Sequence, residues 1–175
     1  MTKKLLAACL IISLALGISL KTCSDKKYKK EVQYWADYAP HGITIEDNLV
    51  FRPHCDWFSC GGGTIYRLAP QTADAISKDG MSFFKTLPSP YKGKNGRSLG
   101  DWKKFPPISL QIEERAEIMK VVKPHYWNGD GANHPASKRL GAAIDNHSYY
   151  VSNRGAEPKI IISPEAKLIY IGWFD

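Results

Sequence analysis

Apolar residues are distributed along this chain in three patterns, and each pattern predicts a different kind of segment. Residues 5–20 form an unbroken apolar run that is bounded by lysines. Residues 43–51 and 159–174 are rich in the β-branched and aromatic side chains that are typical of strands. Residues 109–123 carry apolar side chains every three or four positions, which is the spacing of one helix face. The chain therefore combines a hydrophobic leader with both strands and helices.

The order of these segments predicts an α+β fold. Residues 43–51 indicate two strands around a turn at residues 46–48, and residues 64–68 indicate another strand. Further helices are predicted for residues 72–87, where Thr72 can cap the start and Gly80 interrupts, and for residues 135–146. A hairpin around Pro164-Glu165-Ala166 joins the strands at residues 159–163 and 167–174. We expect an antiparallel sheet of about four to six strands with two or three helices packed on it.

The leader predicts export from the cytoplasm. As a helix, the sixteen residues from 5 to 20 would be roughly 24 Å long, shorter than a hydrocarbon core of about 30 Å. Two lysines precede the run, as in the charged region of an export signal. We expect an export signal at residues 1–23, a basic spacer at 24–33 and one domain at 34–175. The domain is then periplasmic, or membrane-associated and facing the periplasm.

Three fates remain open for this leader. It can be cleaved after the small residues near Gly17 and Ser19, or it can stay uncleaved as an anchor. Cys23 with Ser24 just beyond the apolar run resembles a bacterial lipoprotein signal, with Thr22 and Lys21 where that signal carries small residues. This resemblance covers the leader only and implies lipidation at Cys23. Each fate leaves the domain in or near the cell envelope.

The charge of the chain is concentrated at its start. The formal net charge is +7, and residues 1–30 hold seven of the 24 basic residues but one of the 17 acidic ones. The remainder is therefore close to neutral, which gives little support to nucleic acid as a partner. The lysine cluster of the spacer is suited to contact with anionic lipid or with solvent.

Cys55 and Cys60 are the two cysteines of the predicted domain, and they allow three interpretations. An oxidising compartment favours a disulfide between them. Alternatively, Cys60 acts as a nucleophile, with glycine amides as an oxyanion hole and a distant histidine as base. His54 and His147 are further catalytic candidates, and a partly buried structural role is the alternative for His147. A zinc site built from this segment is the third interpretation, although its spacing matches no zinc finger or ribbon.

The loop at residues 125–134 is the second candidate site. His125, Asp130 and His134 can converge on a metal, whereas a glycine-rich turn whose polar side chains bond to their own backbone is the alternative. Loop aromatics can also line a binding cleft. The binding candidates are Trp57, Tyr126, Trp127 and Asp130, and Trp102 is a further aromatic residue in a predicted loop. No cofactor is expected.

Two functional hypotheses follow from these features. The first is an exported, envelope-associated domain without catalysis, of a binding or inhibitor type, whose partner is a protein or a small ligand of the envelope. The second is a small periplasmic hydrolase that uses Cys60 or the His125/Asp130/His134 loop. A free thiol or a bound metal would distinguish the second hypothesis from the first.

Overall fold

Six strands pair into one antiparallel sheet in which strands from the two ends of the chain lie side by side. The computed structural model describes residues 25–55, 60–88, 100–105, 133–145, 149–152 and 159–174. The strands are β1 (Ile45–Cys55), β2 (Cys60–Leu68), β3 (Lys103–Phe105), β4 (Tyr149–Ser152), β5 (Lys159–Ser163) and β6 (Leu168–Phe174). Their order across the sheet is β1-β2-β6-β5-β4-β3. With helices beside this sheet, the predicted α+β class is confirmed.

Four helices are described. They are α1 (residues 25–36), α2 (Pro70–Asp79), α3 (Met81–Lys85) and α4 (Pro135–Asp145). Gly80 separates α2 from α3 as expected, because its φ of 56° favours glycine and its N–H donates to the Ile76 carbonyl at 2.8 Å. The helix predicted at residues 109–123 lies outside the described residues.

The chain divides into two compact units, residues 1–34 and 35–175. In the first unit the described residues, 25–34, are helical, and Lys27 forms an exposed ion pair with Glu31 at 3.9 Å. The second unit contains the sheet. Within the described ranges, no helix has the length and hydropathy needed to cross a membrane. The predicted leader at residues 1–23 lies outside those ranges, and its fate stays a prediction.

Three local predictions were wrong. Residues 45–55 form one strand without a turn, and β3 and β4 occur where no strand was predicted. Thr72 does not cap a helix: α2 begins at Pro70, and the Thr72 hydroxyl accepts a 3.4 Å hydrogen bond from the Thr44 amide. Trp102 is a loop aromatic for which the sequence allowed either a cleft or the core. It is 5 % exposed and stacks on Phe84 with ring centroids 4.5 Å apart, so it belongs to the core.

The centre of the sheet is buried on both faces. Ile160, Ile161 and Ile162 of β5 are each 0 % exposed, although successive residues of a strand point to opposite sides. In β6, the four residues from Leu168 to Ile171 are equally buried. Complete burial of one such side chain contributes about 1.5–3 kcal/mol. The sequences of β5 and β6 are therefore mostly continuous apolar runs. They lack the alternation of apolar and polar residues that is typical of a strand with one face in solvent.

A polar network holds β1 in register on β2 where the ladder is irregular. The register shifts between Ile45 and Asn48 and again between Asn48 and Val50. The Asn48 amide donates to the Thr64 hydroxyl at 2.7 Å and to the Val50 carbonyl at 3.1 Å. The fully buried Thr64 hydroxyl also donates to the Val50 carbonyl, at 3.0 Å. The Asn48 and Thr64 side chains thus supply hydrogen bonds where the bulge disturbs the ladder.

On the other side of β2, a tyrosine ring lies over a pair of glycines. Gly63 of β2 is the register partner of Gly172 of β6. Tyr170 is also in β6, two residues before Gly172. A Cβ atom on Gly63 would lie 2.5 Å from Tyr170 Cε2, and one on Gly172 would lie 2.6 Å from Tyr170 Cε1. Burial raises the pKa of the Tyr170 phenol far above its ordinary value, so the hydroxyl stays protonated. The ring therefore occupies the space that two side chains would otherwise fill.

We expect Gly172→Ala to lower the free energy of unfolding by about 1–3 kcal/mol, because the added methyl group displaces the Tyr170 ring. Gly141→Ala is the matched control: a Cβ there meets nothing within 4 Å, and alanine within helix α4 should raise stability by about 0.5–1 kcal/mol. Urea unfolding of both variants measures the difference. Equal tolerance of the two substitutions would show that the ring packing does not constrain β2 and β6.

Candidate functional site at the end of the β1–β2 hairpin

The β1–β2 hairpin brings the two predicted domain cysteines to the same place in the ladder. Cys55 is the last residue of β1 and Cys60 the first of β2, and the two are direct register partners. Partners in an antiparallel ladder have Cα atoms about 4.5–5.5 Å apart, within the range of about 4.4–6.8 Å that a disulfide requires. The backbone register is thus compatible with a bond that closes the loop at residues 56–59.

The glycine triplet, Gly61 to Gly63, lies in β2, which is paired with β1 on one side and with β6 on the other. Gly61 pairs with His54 on one side and Phe174 on the other, while Gly62 pairs with Pro53 and Trp173. Three consecutive positions of β2, Gly61 to Gly63, therefore carry no side chain, and the β6 partner of Gly63, Gly172, carries none either. The sequence places the triplet beside a strand, whereas the structure includes it within β2. Glycines here permit close approach, as the Tyr170 ring over Gly63 shows.

This arrangement bears on the catalytic interpretation of Cys60. The register partner of Cys60 is Cys55, and His54, the residue before Cys55 in β1, is the partner of Gly61. No disulfide is seen among the side chains that the structure describes, and those of Cys55 and Cys60 lie outside them. The disulfide and the nucleophile both stay predictions.

His134 occupies a helix terminus. Its Nδ1 atom accepts a 3.2 Å hydrogen bond from the Ala136 amide, and its carbonyl accepts one from the Lys138 amide at 3.2 Å. These two bonds make His134 the N-cap of helix α4, where the first amides lack partners within the helix. A metal could therefore be bound only through Nε2 while the cap is intact.

The remaining predicted site residues lie outside the described part of the chain. They are Cys23, Trp57, His125, Tyr126, Trp127, Asp130 and His147. Within the described ranges, no three His, Cys, Asp or Glu side chains are grouped so that they could hold a metal ion. The structure thus brings Cys55, Cys60, His54 and the glycine triplet together by register and places His134 at the start of α4.

One polar atom in the core was not indicated by the sequence. The Trp102 indole N–H is buried, and it is the single buried side-chain nitrogen or oxygen without a hydrogen-bond partner in the part of the chain that the structure describes. Its ring is held by Phe84 of α3. A buried donor of this kind needs an acceptor from water, a ligand or another segment. Nothing in the sequence around Trp102 separates it from the other aromatic residues of predicted loops.

We expect His134→Ala to lower the free energy of unfolding by about 1 kcal/mol, because the Ala136 amide loses its acceptor. His134→Asn should retain most of the stability, since an asparagine oxygen can cap the same helix. The exposed His41 provides a control, with an expected change within about 0.5 kcal/mol on substitution by alanine. The stabilities of the three variants are measured by thermal unfolding with and without a chelator. A stabilisation by zinc that His134→Ala abolishes would instead make His134 a ligand.

Comparison with known proteins does not assign this arrangement to a family. No model of a protein family, no curated protein and no solved structure matches the chain.

Proposed function

We propose that the protein is an exported, envelope-associated binding domain that recognises a partner protein through the tip of the β1–β2 hairpin. The observation that carries this proposal is the pairing of Cys55 with Cys60, which sets residues 56–59 as the connection between two long strands. Those residues are Asp-Trp-Phe-Ser. A tryptophan and a phenylalanine on a short connection are the aromatic anchors that dominate many protein interfaces.

A disulfide between Cys55 and Cys60 is part of this proposal. The ring it closes contains six residues, so the chain-entropy model assigns it a stabilisation of about 2 kcal/mol. Its larger effect is on the loop, since a fixed closure reduces the conformational entropy that binding must remove. Export to an oxidising compartment supplies the chemistry for the bond. The hairpin is then a preorganised recognition element.

The sheet supplies a rigid base for that element. β2 is paired on both sides, with β1 and with β6, and residues Gly61 to Gly63 have register partners on each neighbouring strand. The buried Ile65 and Tyr66 continue the same strand into the core. Binding residues are commonly carried by loops that a rigid scaffold positions, and this hairpin has that construction.

We expect mass spectrometry of the protein purified from cells, under denaturing and non-reducing conditions, to report its N-terminus and its thiols together. An N-terminus near residue 18 or 20 indicates cleavage, and an added lipid mass on Cys23 indicates lipidation. A deficit of two hydrogens that reduction restores indicates the Cys55–Cys60 bond, which tandem spectra locate. Two freely alkylated thiols at these positions would contradict the disulfide and return the argument to a nucleophilic Cys60.

We expect a photo-crosslinking amino acid in place of Phe58 to give discrete, light-dependent adducts with a protein in intact cells. Adding Trp57→Ala should weaken binding by about 2 kcal/mol or more, and therefore reduce adduct yield about thirtyfold or more at limiting partner concentration. Glu165 is the control position: it is exposed in the β5–β6 turn, where Ser163 pairs with Leu168, at the opposite end of the sheet from Gly61 and Phe174.

The outcomes of this experiment separate cleanly. Adducts at position 58 that depend on Trp57, with none at position 165, support recognition by the hairpin. Adducts of equal yield at both positions report collision rather than binding. An absence of adducts at position 58 in cells that export the folded protein would overturn the proposed function.

A further inference from the structure

We infer that the lysine-bearing face of helix α1 binds the headgroups of an anionic lipid bilayer. This inference goes beyond the recognition proposed for the hairpin and does not depend on it. Lys26, Lys27, Lys29 and Lys30 all lie within the helical residues 25–36, and all four are exposed. Four of the seven lysines of residues 1–30 are thus concentrated on little more than one turn of helix.

The helix collects this charge on one side. Lys26 has Lys29 and Lys30 as its neighbours three and four positions later, which lie on the same face. Gln33, also exposed, continues that face, whereas Val32 lies off it and is half-buried. The basic spacer of the sequence therefore becomes an amphipathic surface when it is helical.

The local charges do not balance one another. Like charges three or four positions apart in a helix repel, and this applies to Lys26 with both Lys29 and Lys30. In the described part of the first unit, the one ion pair is Lys27 with Glu31, at 3.9 Å and largely exposed to solvent. An external anionic surface would relieve the repulsion, and each lysine near such a surface contributes about 1 kcal/mol of binding.

Lipid suits this face better than a dissolved polyanion because of where the lysines occur in the sequence. The apolar run ends at Leu20, five residues before the helical segment that begins the described chain. A segment inserted in or passing through a membrane would keep the lysines within reach of the headgroups.

Amide hydrogen exchange of the full-length protein in lipid nanodiscs tests this inference. We expect exchange of residues 25–36 to be about tenfold slower, or more, in discs with anionic lipid than in discs of neutral phosphatidylcholine alone. Salt at about 0.5 M should remove most of the difference, since it shortens the screening length to about 4 Å. Residues 70–79 of helix α2 serve as an internal reference whose exchange should not depend on lipid charge.

Two variants distinguish binding by this face of α1 from a general effect of the net charge of the protein. Replacing Lys26, Lys29 and Lys30 by glutamine should abolish the slowing in anionic discs. The control variant removes the same charge at exposed lysines elsewhere, Lys78, Lys85 and Lys138. In this variant the slowing of exchange in anionic discs should persist. The inference is overturned if the unmodified protein exchanges equally fast in neutral and anionic discs. It is also overturned if the two variants lose the slowing of exchange to the same extent. Protection by a short DNA duplex, but not by anionic lipid, would identify nucleic acid as the partner.

Discussion

The register of β2 against its two neighbours is the constraint on which the rest of the molecule depends. A slip of one residue in a strand sends every side chain to the opposite face. On the β1 side, the Asn48, Thr64 and Val50 hydrogen bonds fix the alignment at the bulge. On the β6 side, the Tyr170 ring fits where Gly63 and Gly172 are opposite one another. A hydrogen-bond network on one side and the packing of an aromatic ring on the other thus fix the register of β2. The pairing of Cys55 with Cys60 follows from that register.

The sequence predicted the fold class because its strongest local signals agree with the tertiary structure. Pro164-Glu165-Ala166 between two apolar runs indicates a hairpin, and the structure has β5 and β6 on either side of that turn. The short strands β3 and β4 lack such signals, since their pairing depends on neighbours that are distant in the chain. Glu46-Asp47-Asn48 resembles a turn, but Asn48 uses its amide across the ladder, and propensity cannot reveal that partner.

The candidate site was predictable in its residue types and less so in its geometry. Two cysteines in a chain with a predicted export signal indicate a disulfide, yet only the ladder shows that Cys55 and Cys60 are direct partners. His134 illustrates the opposite case. Its polar, glycine-rich loop allowed either a metal ligand or a side chain bonded to its own backbone, and its Nδ1 atom accepts a hydrogen bond from the Ala136 amide at a helix start. Local backbone hydrogen bonding competes with metal binding for the same atom, and a sequence pattern does not decide between them.

The two outer strands of the sheet determine how a partner can approach. β1 carries Pro53, which has no amide hydrogen to donate, and it bulges near the exposed Glu46 and Asp47. β3 at the other border is only three residues long, and two of them are exposed lysines. Such features discourage an additional strand from joining and limit aggregation through open edges. For the strands that the structure describes, growth of the sheet into a fibril or a strand-exchanged dimer is therefore disfavoured, and contact through side chains and loops is favoured over strand addition.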